Sequence, residues 1–217
     1  MSGPVVLAHA RARLALHPLH DGGAGHPLLL LHGLGERTPA GPPRQVERWP
    51  GPVHGLDFTG HGASSVPAGG GYTAEVLMGD VDTALAHLGP CTLVGRGLGG
   101  YVALLAAGAR PGLVRGAVIT DGPGLAGGGS GPSSTAPPFP YPGATGPPDP
   151  FALAELSRDV RPPDYATSFA RLALLRSDLE SPLCVAAVGR PDWLAAVAAE
   201  PGVVEEPLDR ALARYAG

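Results

Sequence analysis

The sequence contains no lysine, only two cysteines and few aromatic residues, and none of its eight histidines follows residue 87. All fifteen basic side chains are arginines, and nineteen acidic residues give a net charge of −4. Nucleic-acid-binding domains usually carry clustered basic residues, so this class of partner is not expected. Cys91 and Cys184 each lie in an apolar run, which predicts buried thiols rather than a disulfide or metal ligands. We therefore expect no metal and no cofactor.

Long hydrophobic segments are also missing from the chain. Apolar runs such as residues 27–31 are too short to span a bilayer, and the N-terminus lacks the pattern of a secretory signal. These absences predict a cytoplasmic protein without a membrane partner. A small-molecule ligand is possible, and no oligomeric state is predicted. With 217 residues, of which 44% are hydrophobic, the chain is long enough for one domain with a full core.

Short apolar runs alternate with segments of helical periodicity along most of the sequence. We expect strands within residues 4–19 and at 28–31, 53–58, 92–94, 113–120, 183–188 and 203–204. We expect helices at residues 73–88, 98–109, 193–199 and 208–215. Such alternation predicts an α/β fold whose mostly parallel, doubly wound sheet is covered on both faces.

Residues 122–150 differ in composition from the rest of the chain. They contain nine prolines and a GGGSG run, with too few apolar groups to offset the entropy of ordering, which predicts a flexible segment. Helical periodicity returns over residues 151–179. We therefore expect residues 122–180 to form a lid insertion within a single domain spanning residues 1–217.

Four short motifs follow one another at the ends of the expected strands. They are His32-Gly33-Leu34-Gly35, Asp57-Phe58-Thr59-Gly60-His61-Gly62-Ala63-Ser64, Gly95-Arg96-Gly97-Leu98-Gly99 and Val188-Gly189-Arg190-Pro191-Asp192. In order and spacing they resemble the motifs of the α/β-hydrolase superfamily, over nearly the whole chain. The resemblance implies a doubly wound sheet with a serine nucleophile on a tight strand-to-helix turn, the nucleophile elbow.

The resemblance also implies a site for a carbonyl oxygen. In this family two backbone N–H groups form the oxyanion hole, and the matching residues are Leu34, beside Gly33, and Leu98. His32, Asp57 and His61 would then brace loops rather than transfer protons.

The residue at the nucleophile position of the G-x-S-x-G frame is Gly97, which has no side chain that could attack a carbonyl. The family's general base follows the last strand, where this chain has no histidine. Asp192 matches the acid position loosely and Asp121 is the alternative, but either would be vestigial. We therefore expect that ordinary Ser-His-Asp ester hydrolysis is absent.

Three functional hypotheses are compatible with these losses. The first is a non-hydrolytic protein that binds a small carbonyl or acyl compound, the second an enzyme with non-canonical catalysis, and the third a scaffold. Arg96 and Asp121 could both face the pocket. There Arg96 would suit an anionic ligand, or it would form an ion pair within its loop.

A hypothesis from another class is a dinucleotide site at Gly95-x-Gly97-x-x-Gly100, with Asp121 on a ribose. The motif follows a strand and opens a helix, as such sites require. However, about 90 residues with the hydrolase pattern precede it, whereas the dinucleotide unit usually begins a domain. We therefore favour the hydrolase-like interpretation.

Overall fold

A computed structural model describes residues 3–128 and 146–217, and within them eight strands form one sheet. The order across the sheet is β1-β2-β4-β3-β5-β6-β7-β8. The strands are β1 (Val5–His9), β2 (Ala12–His20), β3 (Leu28–Leu31), β4 (Val53–Asp57), β5 (Cys91–Arg96), β6 (Val114–Thr120), β7 (Leu183–Val185) and β8 (Val204–Glu205). Strand β2 pairs antiparallel with β1 and β4, and all other neighbours are parallel. This is the α/β architecture expected from the sequence.

Six helices in the described residues connect the strands and cover the sheet. They are α1 (Ala74–Leu88), α2 (Leu98–Ala109), α3 (Pro150–Arg158), α4 (Pro163–Arg176), α5 (Asp192–Ala198) and α6 (Leu208–Tyr215). Helix α1 begins where the Thr73 hydroxyl accepts a hydrogen bond from the Val76 N–H, a side-chain N-cap. None of these helices combines the length and apolarity needed to cross a membrane.

Helix α2 is the centre of the larger core. Its residues are buried from Leu98 to Gly108, which explains why its sequence is apolar on all sides. Strand β3, between β4 and β5, is an uninterrupted leucine run, as expected for a parallel strand that is covered on both faces. A second cluster, which includes Trp49 and Tyr215, packs on the other face of the sheet, where α6 lies.

The strand expected at residues 183–188 ends three residues early, at Val185. The backbone leaves the sheet there because the N–H groups of Ala186 and Ala187 both donate to Ile119 O, 2.9 Å away in each case. Val188 is then 87% exposed.

Helices α3 and α4 account for the periodicity of residues 151–179, within the expected lid insertion. Most of the segment expected to be flexible, residues 129–145, lies outside the described residues.

Candidate active site

The turn between β5 and α2 has the backbone of a nucleophile elbow. Gly97 adopts φ 57° and ψ −118°, a conformation that is essentially restricted to glycine when no strain is stored. Gly95 and Gly99 bring the strand and the helix together, since a Cβ on Gly95 would overlap the Gly99 carbonyl. The elbow therefore keeps its shape although Gly97 provides no attacking side chain.

The two backbone N–H groups that the resemblance assigned to the oxyanion hole point at one oxygen atom. The Leu34 N–H donates to Pro123 O at 3.0 Å, and the Leu98 N–H donates to the same oxygen at 2.9 Å. Convergence of two N–H groups on one oxygen is the geometry that an oxyanion hole requires. Here the chain's own carbonyl occupies that position.

The carbonyl belongs to residues 122–125, which we call the closing segment. A Cβ on Gly97 would overlap Pro123 O and the Gly122 backbone, so the closing segment fills the space of the missing side chain. The Trp193 indole N–H donates to Leu125 O at 2.9 Å and holds the far end of the segment. The segment is therefore bound on both sides of the elbow.

The guanidinium of Arg161, which precedes α4, also holds the closing segment. Its Nη1 donates to Gly124 O and Leu125 O, both at 2.6 Å. Arg161 is only 4% exposed and lies over the ring of Tyr101, 4.6 Å from its centroid. Burial lowers the pKa of Arg161 to about 10, so the group is still a cation at neutral pH. Its Nε and Nη2 are buried, and within residues 3–128 and 146–217 they have no hydrogen-bond partner.

Gly33 and Arg96 are engaged in the loop after β3. The Gly33 N–H donates to Glu36 Oε2 at 2.9 Å, and Arg96 Nε lies 3.0 Å from both carboxylate oxygens of Glu36. Arg96 Nη1 also donates to Asp121 O at 2.9 Å. The geometry therefore supports the second interpretation of Arg96, an ion pair within its loop.

Neither acid candidate lies against an imidazole. The Asp121 carboxylate accepts hydrogen bonds from the N–H groups of Val188 (2.7 Å) and Gly189 (2.8 Å), so it braces the loop after β7. Asp192 is exposed at the first residue of α5. Only Glu206 and Pro207 separate β8 from α6, so the connection that carries the base in the family has no histidine.

His32 and His61, the histidines of the first two motifs, are both buried. His32 Nδ1 donates to Gly33 O at 2.8 Å, and its Nε2 accepts the Phe58 N–H at 3.1 Å. Burial, followed by the neighbouring His61, lowers the pKa of His32 to about 4, and burial also lowers that of His61. With both ring nitrogens of His32 bound to backbone, this histidine is a brace between two loops.

One early histidine does contact a hydroxyl group, but at the opposite edge of the sheet. His26 Nε2 lies 2.9 Å from Thr92 Oγ1, next to the amino end of β5. The Thr92 hydroxyl donates to Arg115 O at 3.1 Å, so the imidazole is the donor in this pair. The pair is separated from Gly97 by the length of β5 and provides no base for the elbow.

A cleft of about 630 Å³ opens on the face of the sheet that α6 covers. Arg96, Asp121 and Glu36 line its rim, and its floor is apolar, with contributions from Leu30, Val46, Val94 and Leu208. Arg96 and Asp121 thus border this cleft rather than the space above Gly97, which the closing segment fills.

Two important residues of the site, Pro123 and Arg161, were not identified from the sequence. Pro123 lies in a segment whose composition predicts flexibility, and no motif marks its carbonyl as a ligand of the oxyanion donors. Arg161 stands alone between Val160 and Pro162. Its only signal is the position between two helical segments of the expected lid, which does not distinguish it from an exposed arginine.

Comparisons with known proteins agree with the fold. A model of the alpha/beta hydrolase family matches residues 28–217. No curated protein matches the chain significantly in sequence.

Solved structures with the same fold include a hypothetical protein of Pseudomonas aeruginosa PAO1. It is 18% identical over 99% of this chain and 98% of its own, with a TM-score of 0.65. A thermophilic esterase from Thermogutta terrifontis is 21% identical over 95% of this chain and 90% of its own, with a TM-score of 0.62. At these identities the structural similarity establishes the fold alone, but the family model covers most of the chain. The chain therefore belongs to the alpha/beta hydrolase family.

Proposed function

We propose that this protein is a non-hydrolytic member of its family, whose hydrolase site is closed by its own backbone. The observation that carries the proposal is the position of Pro123 O, to which both oxyanion donors are bound. Two features of the sequence add to this observation. The residue at the nucleophile position is a glycine, and no histidine follows the last strand. Acyl transfer needs an attacking atom, a base and a free oxyanion hole, and these three observations speak against each requirement in turn.

The same geometry supports binding of a small carbonyl or acyl compound as the retained activity. The donors of Leu34 and Leu98 hold a carbonyl oxygen at normal hydrogen-bond distances. A ligand carbonyl would take the same position once the closing segment moves aside. The protein would then function as a binding protein in which ligand and closing segment compete for one site.

The dinucleotide hypothesis has less support. A pyrophosphate would need free N–H groups at the start of α2. There the Leu98 N–H is bound to Pro123 O, and the Gly100 N–H is bound to Gly97 O at 3.0 Å. The Asp121 carboxylate, which would bind the ribose, is bound to two backbone N–H groups.

The test is turnover of p-nitrophenyl acetate and butyrate by the purified protein and by a Gly97→Ser variant. We expect no saturable turnover above a heat-inactivated sample for the native chain. The variant should gain less than about tenfold over that background, because a serine without a base is a weak nucleophile and its side chain would overlap Pro123 O.

Gly97→Ala is the matched control, since it adds the same Cβ without the hydroxyl. Saturable turnover by the native protein would overturn the proposal. A rate increase of about a hundredfold or more for Gly97→Ser over Gly97→Ala would also overturn it, because it would require a base that the described residues do not place at the elbow.

A further inference from the structure

Arg161 is an unusual residue to find beneath a closed site. Its guanidinium is buried, and it forms no ion pair with any carboxylate in the described residues. Asp159 influences it only through a longer-range electrostatic attraction. Two of its nitrogens, Nε and Nη2, have no acceptor among the described residues. A buried cation with no counter-charge in direct contact is costly, and an anion is the partner that would satisfy it.

The two carbonyl groups that accept hydrogen bonds from Arg161 belong to the residues that come directly after the one at the oxyanion position. Its Nη1 binds the carbonyls of Gly124 and Leu125, while the preceding carbonyl, that of Pro123, is held by the Leu34 and Leu98 N–H groups. Carbonyls one or two residues apart in a chain are separated by roughly 4–7 Å. The site therefore contains two donor groups at that spacing, one neutral and one cationic.

We propose that these two groups form a binding site for a short oxo-carboxylic acid, whose carbonyl and carboxylate are separated by about two carbons. The ligand carbonyl would accept the N–H groups of Leu34 and Leu98 in place of Pro123 O. The carboxylate would bind the Arg161 guanidinium in place of Gly124 O and Leu125 O. This inference rests on the proposed function and assigns the chemical class of its ligand.

Charge favours such a ligand over the closing segment. The segment offers only neutral carbonyls, which use one of the three guanidinium nitrogens. A carboxylate would bind two nitrogens at once, and hydrogen bonds between charged groups are about twice as strong as neutral ones. It would also supply the missing counter-charge. Arg96, the other arginine of the site, is 54% exposed and already paired with Glu36, so it is the weaker anion site.

Trp193 provides a direct readout, because its indole N–H is bound to Leu125 of the closing segment. The protein has two tryptophans, and the other, Trp49, packs in the second core cluster. We suggest following the two indole N–H resonances by NMR and assigning Trp193 with a Trp49→Phe variant. Displacement of the closing segment breaks the hydrogen bond to Leu125 O and should shift the Trp193 resonance alone.

The probe is 4-oxopentanoate, with pentanoate and 2-pentanone as controls that lack the ketone and the carboxylate. We expect a saturable shift of the Trp193 resonance with 4-oxopentanoate at constant ionic strength. Each control compound should bind at least about tenfold more weakly, because each loses one of the two donor groups. No shift with 4-oxopentanoate, or equal affinity for pentanoate, would overturn the inference.

Variants at two positions test the residues. Arg161→Met should abolish binding of 4-oxopentanoate, whereas Arg161→Lys, which keeps the charge, should retain part of it. Gly124→Ala should instead tighten binding by about tenfold. Gly124 has φ +75°, and a Cβ at this position would lie 2.7 Å from the Leu34 Cβ. The substitution therefore destabilises the closed state and raises the fraction of molecules that can bind.

Unchanged affinity in Arg161→Met, or unchanged or weaker affinity in Gly124→Ala, would contradict the inference. The Gly124→Ala variant decides the question even if Arg161→Met does not fold. Failure here is distinct from failure of the proposed function, since ester turnover and ligand-induced shifts are measured separately. A protein that hydrolyses no ester and binds no oxo acid would keep the first conclusion and lose the second.

Discussion

Gly97→Ala is expected to lower the free energy of unfolding by about 2 to 6 kcal/mol. Part of the loss comes from the backbone, because a non-glycine residue at φ 57° and ψ −118° stores roughly 1–3 kcal/mol of strain. The rest comes from overpacking, since the new Cβ would overlap Pro123 O and a misfit of this kind costs roughly 1–3 kcal/mol. Urea unfolding of the native protein and the variant measures the difference.

Gly112→Ala is the matched control for this substitution. Gly112 is exposed, a Cβ at this position would meet no other heavy atom within 4 Å, and its φ is not positive. Its replacement should change the free energy of unfolding by less than about 1 kcal/mol. If Gly97→Ala were no more destabilising than Gly112→Ala, the closing segment would not rest on the elbow.

The sheet and the elbow were predictable because both depend on local patterns. An uninterrupted apolar run such as that of β3 can be covered on two faces only in the middle of a parallel sheet. The spacing of Gly95, Gly97 and Gly99 likewise indicates a close approach between β5 and α2. A Cβ at these positions would prevent that approach. In both cases the sequence pattern is a direct consequence of steric limits at that position.

The closing segment was not predictable, because its role depends on contacts between residues far apart in the sequence. Pro123 is held by N–H groups of Leu34 and Leu98, and Leu125 by Trp193. The bound groups are backbone carbonyls, which every residue carries, so side-chain identity gives no signal. Composition alone describes how strongly a segment favours order by itself, not which donors it meets after folding.

Acidification is expected to destabilise the protein through His32. Its pKa is about 4 in the folded protein, against an ordinary value of 6.5, so the unfolded chain takes up a proton first as the pH falls. The stability that the neutral imidazole contributes is therefore complete above pH 6.5 and is lost as the pH falls towards 4. The difference corresponds to about 3 kcal/mol at 1.36 kcal/mol per pKa unit. Urea unfolding at a series of pH values between about 7.5 and 4 measures it.

A His32→Gln variant isolates this contribution from those of the neighbouring groups. His61 acts in the same direction, whereas the buried Asp80, whose pKa is raised by burial, favours the folded state in acid. The variant should therefore lose about 3 kcal/mol less than the native protein between pH 7.5 and 4. His20→Gln, at an exposed position, should follow the native curve.

Equal acid sensitivity in His32→Gln and the native protein would contradict this assignment. The expected difference has a structural cause at the candidate site. A proton on His32 Nε2 removes the acceptor of the Phe58 N–H and leaves two donors facing each other in a buried position. Because His32 joins the end of β4 to the loop that carries Leu34, acid should loosen the oxyanion loop first. Since a typical domain is stable by only about 5–15 kcal/mol, a loss of this size is a substantial part of the whole.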